Sequence, residues 1–154
     1  MSVNEWDTAG CHHYTECGLE NVYLRNGYRK VEHNGSIVVV VEDPIGLHQA
    51  IGRRICGQRF ISGDEFKFLR NEMRMSQSRL GAVLGVSENM VSLWERRSAI
   101  PKQAVAMLKA MYSEHIKVSY KITALLDVVS KEKESANELM FGEYQQEWSV
   151  AMAA

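Results

Sequence analysis

Four side chains able to hold a metal fall close together near the N-terminus: Cys11, His12, His13 and Cys17. Thiolate and imidazole are the donors that zinc prefers, but structural zinc sites use tighter pairs such as Cys-x-x-Cys. The Cys-x5-Cys spacing is no such pair, and the third cysteine, Cys56, is far along the chain. No metal and no cofactor are therefore expected. The other histidines, His33, His48 and His115, are scattered, and there is no phosphate-binding Gly-x-x-x-x-Gly-Lys loop, no His-Glu-x-x-His pattern and no Ser or Cys nucleophile motif. Glu132 to Glu138 reads as a solvated helix face rather than paired catalytic acids. An enzyme is not expected.

A second grouping is ordered by spacing: Ser76-Gln77-x-x-Leu80-x-x-x-Leu84-Gly85-Val86-Ser87-x-x-x-Val91-x-x-Trp94-Glu95, then Ile100-Pro101. Ser76 and Ser87 can each accept from a backbone N–H at the start of a helix. Gly85 can leave the first of these helices through a left-handed conformation. The result is two helices joined by a tight turn, with the outer face of the second projecting away. Ser62-Gly63-Asp64-Glu65 fits a capping box for a preceding helix running to about Met73, with Phe66, Leu69 and Met73 inward. Gln77 to Leu84 would turn Leu80, Val83 and Leu84 inward, and Glu88 to about Arg96 would turn Val91 and Trp94 inward. Pro101 suits the first turn of a fourth helix, with Ala104, Met107, Leu108 and Met111 or Tyr112 apolar.

The 154 residues make one ordinary domain or two small ones, with a net charge of −1. That total hides an asymmetry. Residues 1–52 hold three basic and seven acidic side chains, residues 53–112 eleven and five, and residues 113–154 four and seven. The basic middle block points to an anionic partner. No signal-peptide pattern opens the chain, the longest apolar run is Ile37 to Val41, and three cysteines are an odd number, so a cytoplasmic protein without a membrane partner is expected.

Residues 20–43 read as β structure. Asn21 to Arg25, Tyr28 to His33 and Ser36 to Glu42 are strand-like runs separated by Asn26-Gly27 and Asn34-Gly35, both strong hairpin signals. A three-stranded meander is expected, its last strand buried on both faces or against a partner. Asp43-Pro44 ends it, and Leu47, Ile51 and Ile55 form a helical stripe that could cover the sheet. Ile122, Leu125, Leu126 and Val129 mark an amphipathic helix within 114–130, a further helix is expected over 136–148, and 151–154 should fray.

The segment from Asp64 to Tyr112 resembles the phage-repressor (Cro/repressor, XRE-type) helix-turn-helix family in its spacing, caps, turn glycine and Trp-Glu ending. It departs at Gly81, where the family usually has alanine. The resemblance implies double-stranded DNA as partner, with helix 88–96 in the major groove. Glu88, Asn89, Ser92 and Leu93 would then meet base edges: Glu88 accepting from cytosine, Asn89 pairing with adenine and Leu93 touching a thymine methyl. Gln77, Arg79, Arg96, Arg97, Lys102 and Gln103 would meet phosphates. Arg70 and Glu95 would be a structural ion pair. Met90 lies between the two faces and takes no assignment. The run Tyr14-x-x-Cys17-Gly18-Leu19-x-Asn21-Val22-Tyr23-Leu24-x-Asn26-Gly27 followed by a helix-turn-helix also resembles the YgiT/MqsA-type antitoxin-like regulators. Their zinc-binding members carry paired Cys-x-x-Cys motifs, neither of which is complete here.

The expected fold is thus α+β: an irregular N-terminus over 1–13, a small β-meander with a helix over 14–58, an all-α lambda-repressor-like domain over 62–112, and a helical tail over 113–148 used for dimerisation. The expected function is a homodimeric transcriptional repressor that reads a palindromic operator. The alternative is an antitoxin whose acidic N-terminal module neutralises a toxin protein, with DNA binding secondary.

Overall fold

The computed structural model describes residues 10–116, 139–144 and 147–150. The amphipathic stretch from 117 to 130 and the end at 151–154 lie outside the described residues. The chain is α+β and divides into two compact units, with the boundary between Ala50 and Ile51.

The first unit contains β1 (His12–His13), β2 (Val22–Leu24), β3 (Tyr28–His33), β4 (Ser36–Val41), β5 (Leu139–Tyr144), β6 (Glu147–Val150) and the start of α1 (Pro44–Cys56). Its larger sheet has the order β1-β2-β5-β6. β2 runs antiparallel to β1 and parallel to β5, with Val22 opposite Leu139 and Leu24 opposite Phe141. Tyr14, Leu19, Val22, Leu24, Leu47, Ala50 and Phe141 are buried. Asp43 caps α1, its Oδ1 accepting from the Gly46 N–H at 2.9 Å, and Pro44 occupies the first turn.

Several expectations are corrected here. β3 and β4 form a separate two-stranded sheet, and β2 belongs to the other one, so there is no three-stranded meander. The two Asn-Gly pairs explain the difference. A two-residue type I′ hairpin needs positive φ at both central residues. Asn34 and Gly35 have φ of 50° and 78°, and His33 pairs with Ser36 across them. At the other pair Gly27 has positive φ and Asn26 does not, so the chain passes from one sheet to the next. The Arg25 N–H accordingly bonds to the Phe141 carbonyl at 3.1 Å. β4 is not buried on both faces but largely exposed. His12 and His13 form a strand where an irregular N-terminus was expected, and the helix expected over 136–148 is replaced by β5 and β6. A short apolar stretch such as 139–141 does not separate the helical period from the strand period.

The second unit holds the end of α1 with α2 (Gly63–Glu72), α3 (Gln77–Leu84), α4 (Glu88–Arg97) and α5 (Lys102–His115). Ile51, Ile55, Phe66, Leu69, Leu80, Val91, Leu108 and Tyr112 are fully enclosed. Phe66 meets Trp94 edge to face, with ring centroids 6.1 Å apart. The α1 stripe of Leu47, Ile51 and Ile55 is buried as its spacing requires.

Val83, expected inside, is 53% exposed, and Met107, one of the apolar residues read on the fourth helix, is 51% exposed. Successive helix residues turn by about 100°. The inner face of α3 centres on Leu80 and Gly81, and that of α5 on Ala104, Val105, Leu108 and Tyr112, which leaves Val83 and Met107 to the side or behind. Among the described residues no helix is long and apolar enough to cross a membrane.

Candidate nucleic-acid interface

The helices of the second unit begin and end where their side chains dictate. Ser62 Oγ accepts from the Glu65 N–H at 3.1 Å while Glu65 Oε1 accepts from the Ser62 N–H at 2.9 Å, a complete capping box. Ser76 caps α3 through the Arg79 N–H at 3.0 Å, and Ser87 caps α4 through the Met90 N–H at 3.2 Å. Between them Gly85 is left-handed at φ 72°, and the Val86 N–H bonds back to the Gly81 carbonyl at 2.8 Å. A three-residue turn thus joins α3 to α4.

Backbone closeness accounts for two glycines. A Cβ on Gly81 would lie 2.7 Å from the Val86 carbonyl oxygen, so the turn folds tightly onto α3. A Cβ on Gly63 would lie 2.0 Å from the Glu95 carbonyl oxygen, because the start of α2 is pressed against the end of α4. The Gly63 N–H donates to Ser98 Oγ at 2.7 Å, and Ser98 itself takes the left-handed conformation that ends α4.

A buried polar network braces α4 from behind. Arg70 Nε donates to Glu95 Oε1 at 2.6 Å and Nη2 to Oε2 at 3.1 Å, while Nη1 donates to the Met75 carbonyl at 2.7 Å. Gln77 Nε2 adds a bond to Glu95 Oε2 at 2.7 Å. Both charged groups are buried, at 7% exposure each. Such a bidentate pair fixes orientation because the guanidinium fork matches the carboxylate. It links α2, the start of α3 and α4 in one unit.

With Val91 and Trp94 inside, the opposite face of α4 carries Glu88 and Asn89, both exposed, and Ser92 and Leu93, both half-buried. Met90, which the spacing left open, is 40% exposed and joins this outward set. No sequence signal marked it, since it falls between the two helical faces. Arg96 and Arg97 are exposed at the end of α4, and Arg96 Nε donates to the Ser92 carbonyl at 3.3 Å. Lys102 and Gln103 are exposed at the start of α5, and Arg79 is exposed in the first turn of α3. Gln77 differs from the rest: its side-chain amide is tied to Glu95, so it serves the brace as well as the helix end.

Burial takes Arg70, Lys109, Glu65 and Glu95 out of the charge count of residues 53–112 in equal numbers. The basic excess of that block therefore stays at its surface.

The two shifted titrations of the described residues lie away from this face. Burial pushes the Cys56 thiol up to about 11, opposed by the nearby Lys109 charge and a hydrogen bond from Ser113. Burial lowers Lys109, with Cys56 and Glu65 acting the other way, and its Nζ donates to the Gln58 carbonyl. These groups belong to the packing between α1 and α5, where a Cβ on Gly52 would lie 2.1 Å from Tyr112 Oη.

In the first unit, His12, His13 and Cys17 are placed by other contacts. His13 stacks on Tyr23 with centroids 4.5 Å apart and its Nε2 bonds to the Glu20 carbonyl at 2.6 Å. His12 Nε2 lies 3.4 Å from Glu16 Oε1, and Cys17 Sγ donates to the Tyr14 carbonyl at 3.5 Å. Among the described residues no group of three or more His, Cys, Asp or Glu side chains is arranged to hold a metal ion. Comparison of the chain with protein-family models, with curated proteins and with solved structures gives no match.

Proposed function

We propose that the chain is a sequence-specific DNA-binding transcriptional regulator of the XRE helix-turn-helix type, acting as a homodimeric repressor on a palindromic operator, its own promoter included. The observation that carries this reading is the outward face of α4, where Glu88, Asn89, Ser92 and Leu93 are left outside, Arg96 and Arg97 are exposed at the helix end, and the buried Arg70–Glu95 brace holds the helix from within. A polar helix face held rigidly on a positively charged surface is what base readout requires: phosphate contacts position the protein and base-edge contacts specify the sequence. Asn89 offers the donor and acceptor pair that matches adenine N6 and N7, and Glu88 accepts from cytosine N4.

Arg96 and Arg97 at the end of the reading helix, with Lys102 and Gln103 after it, supply the phosphate clamp together with Arg79 at the start of α3. Two copies would place their reading helices about 34 Å apart, one turn of the duplex. Residues 1–52 and 113–154 each carry a net acidic charge, which disfavours their contact with phosphates.

The test is electrophoretic mobility with DNA from upstream of the gene. Arg96→Ala combined with Arg97→Ala should weaken binding to all sequences alike and reduce the slope of log affinity against log salt by about two. Unchanged affinity and slope would contradict the docking model.

A further inference from the structure

The hairpin of β3 and β4 leaves one edge open. The Glu42 N–H donates to the Gly27 carbonyl at 3.0 Å, just beyond the paired residues Tyr28 and Val41. Antiparallel ladders alternate between hydrogen-bonded and non-bonded pairs, so this bond sets the phase of the whole hairpin. Val40, Val38 and Ser36, opposite Arg29, Val31 and His33, turn their backbone groups toward β3. Ile37, Val39 and Val41 turn theirs to the far edge, where no strand pairs among the described residues.

Proteins normally guard such an edge with lysine, proline or a bulge. β3 follows that rule with Arg29, Lys30 and Glu32, whereas β4 reads Ser36-Ile37-Val38-Val39-Val40-Val41 without a charge. Its side chains are also uncovered: Ile37 is 73%, Val38 45% and Val40 36% exposed, with Val31 across from Val38 at 39%. A lone two-stranded hairpin is marginal in water and gains stability from further strands.

We propose that β4 pairs antiparallel with β4 of a second copy about a twofold axis at Val39, giving a four-stranded sheet shared by the dimer. The strand is complementary to itself in this register. Val39 faces the partner's Val39, Ile37 faces the partner's Val41, and Val38 faces the partner's Val40. All three residues with outward backbone groups then fall in hydrogen-bonded pairs. Within residues 36–42 the one charge is Glu42, which faces the partner's Ser36, so no like charges oppose one another. A twofold axis perpendicular to the sheet keeps Val31, Val38 and Val40 on one face, where they join the same patch of the second copy. Pairing through one six-residue strand makes a small interface, and small interfaces form transient pairs, so the dimer is reversible.

This deepens the regulator reading by naming the surface through which the protein pairs, and it rests on that reading only for the use of the pairing on DNA. The test therefore uses the full chain without DNA, by sedimentation equilibrium and amide hydrogen exchange. The expected result is a reversible monomer–dimer equilibrium in which the Ile37, Val39 and Val41 amides exchange more slowly as concentration rises, while Ser36, Val38 and Val40 do not respond. Val39→Pro removes an N–H that points away from β3, so the hairpin ladder is kept while the dimer weakens by roughly tenfold or more. Ile37→Lys, at an exposed position, checks the same edge without a backbone change and should also weaken it, whereas Val39→Thr should not.

A chain that stays monomeric at all concentrations overturns the proposal and turns this edge toward a different protein. So does a dimer that forms equally well in Val39→Pro and Ile37→Lys, or one without concentration-dependent protection at the three amides. DNA binding is measured separately: a monomer that still binds one half-site leaves DNA reading by α4 standing and removes the homodimer from the regulator reading, and a dimer of the expected kind that binds no DNA removes that reading alone.

Discussion

The helical unit and the β unit solve the same problem in opposite ways. The helical unit closes on itself: Arg70, Glu95 and Gln77 satisfy one another in its interior, and Gly63 and Gly81 let backbone meet backbone. The β unit stays open. It takes its central strand partner from the far end of the chain and leaves β4 exposed, with half of its backbone groups facing outward. The contrast separates rigidity from availability. A surface that reads DNA gains from a brace that fixes every donor and acceptor, and a surface that pairs reversibly gains from an edge that is complete only in the assembly.

The largest effect that could break this contrast is expected at the brace. Arg70→Ala should cost about 3–5 kcal/mol in the helical unit, because it leaves the Glu95 carboxylate buried without its counter-charge. Thermal unfolding followed by the helical circular-dichroism signal measures it. The double replacement Arg70→Met with Glu95→Leu should recover much of that loss, since an apolar pair carries no uncompensated charge. A loss below about 1 kcal/mol for Arg70→Ala would show that the helices are not held this way.

A smaller and more local effect is expected in the β unit. Gly35→Ala places a Cβ in the left-handed conformation and should cost about 1 kcal/mol at the hairpin. Exchange of the β3 and β4 amides should quicken while the helical melting curve stays in place. A shift of both together would mean that the two units unfold as one and would erase the distinction.

The helical unit was legible because its information is local. Ser62, Ser76, Ser87 and Gly85 each set a helix end through bonds to residues no more than a turn away, and the residues that cap the helices also fix the outward face of α4. Even there Val83 misled, since an apolar residue at helical spacing does not say how wide the buried face is. The β unit was less legible for the same physical reason. Nothing near Val22 announces that Leu139 lies beside it, and nothing in Asn26-Gly27 distinguishes it from Asn34-Gly35 until the neighbouring strand has claimed Arg25. Of the candidate site, the charged and polar residues could be read directly. The exposure of Met90 and the engagement of Gln77 with Glu95 needed the packed helices.

Base reading by α4 carries the proposed function. Its most direct measurement is selection from a pool of random duplexes by the wild-type chain and by Asn89→Ala, with the enriched sequences compared position by position. An inverted repeat is expected whose half-sites lie about 10–10.5 base pairs apart, with a loss of preference at one symmetric pair of positions in Asn89→Ala and the other positions retained. Failure to enrich any sequence, or the same motif at every position with Asn89 removed, would contradict it.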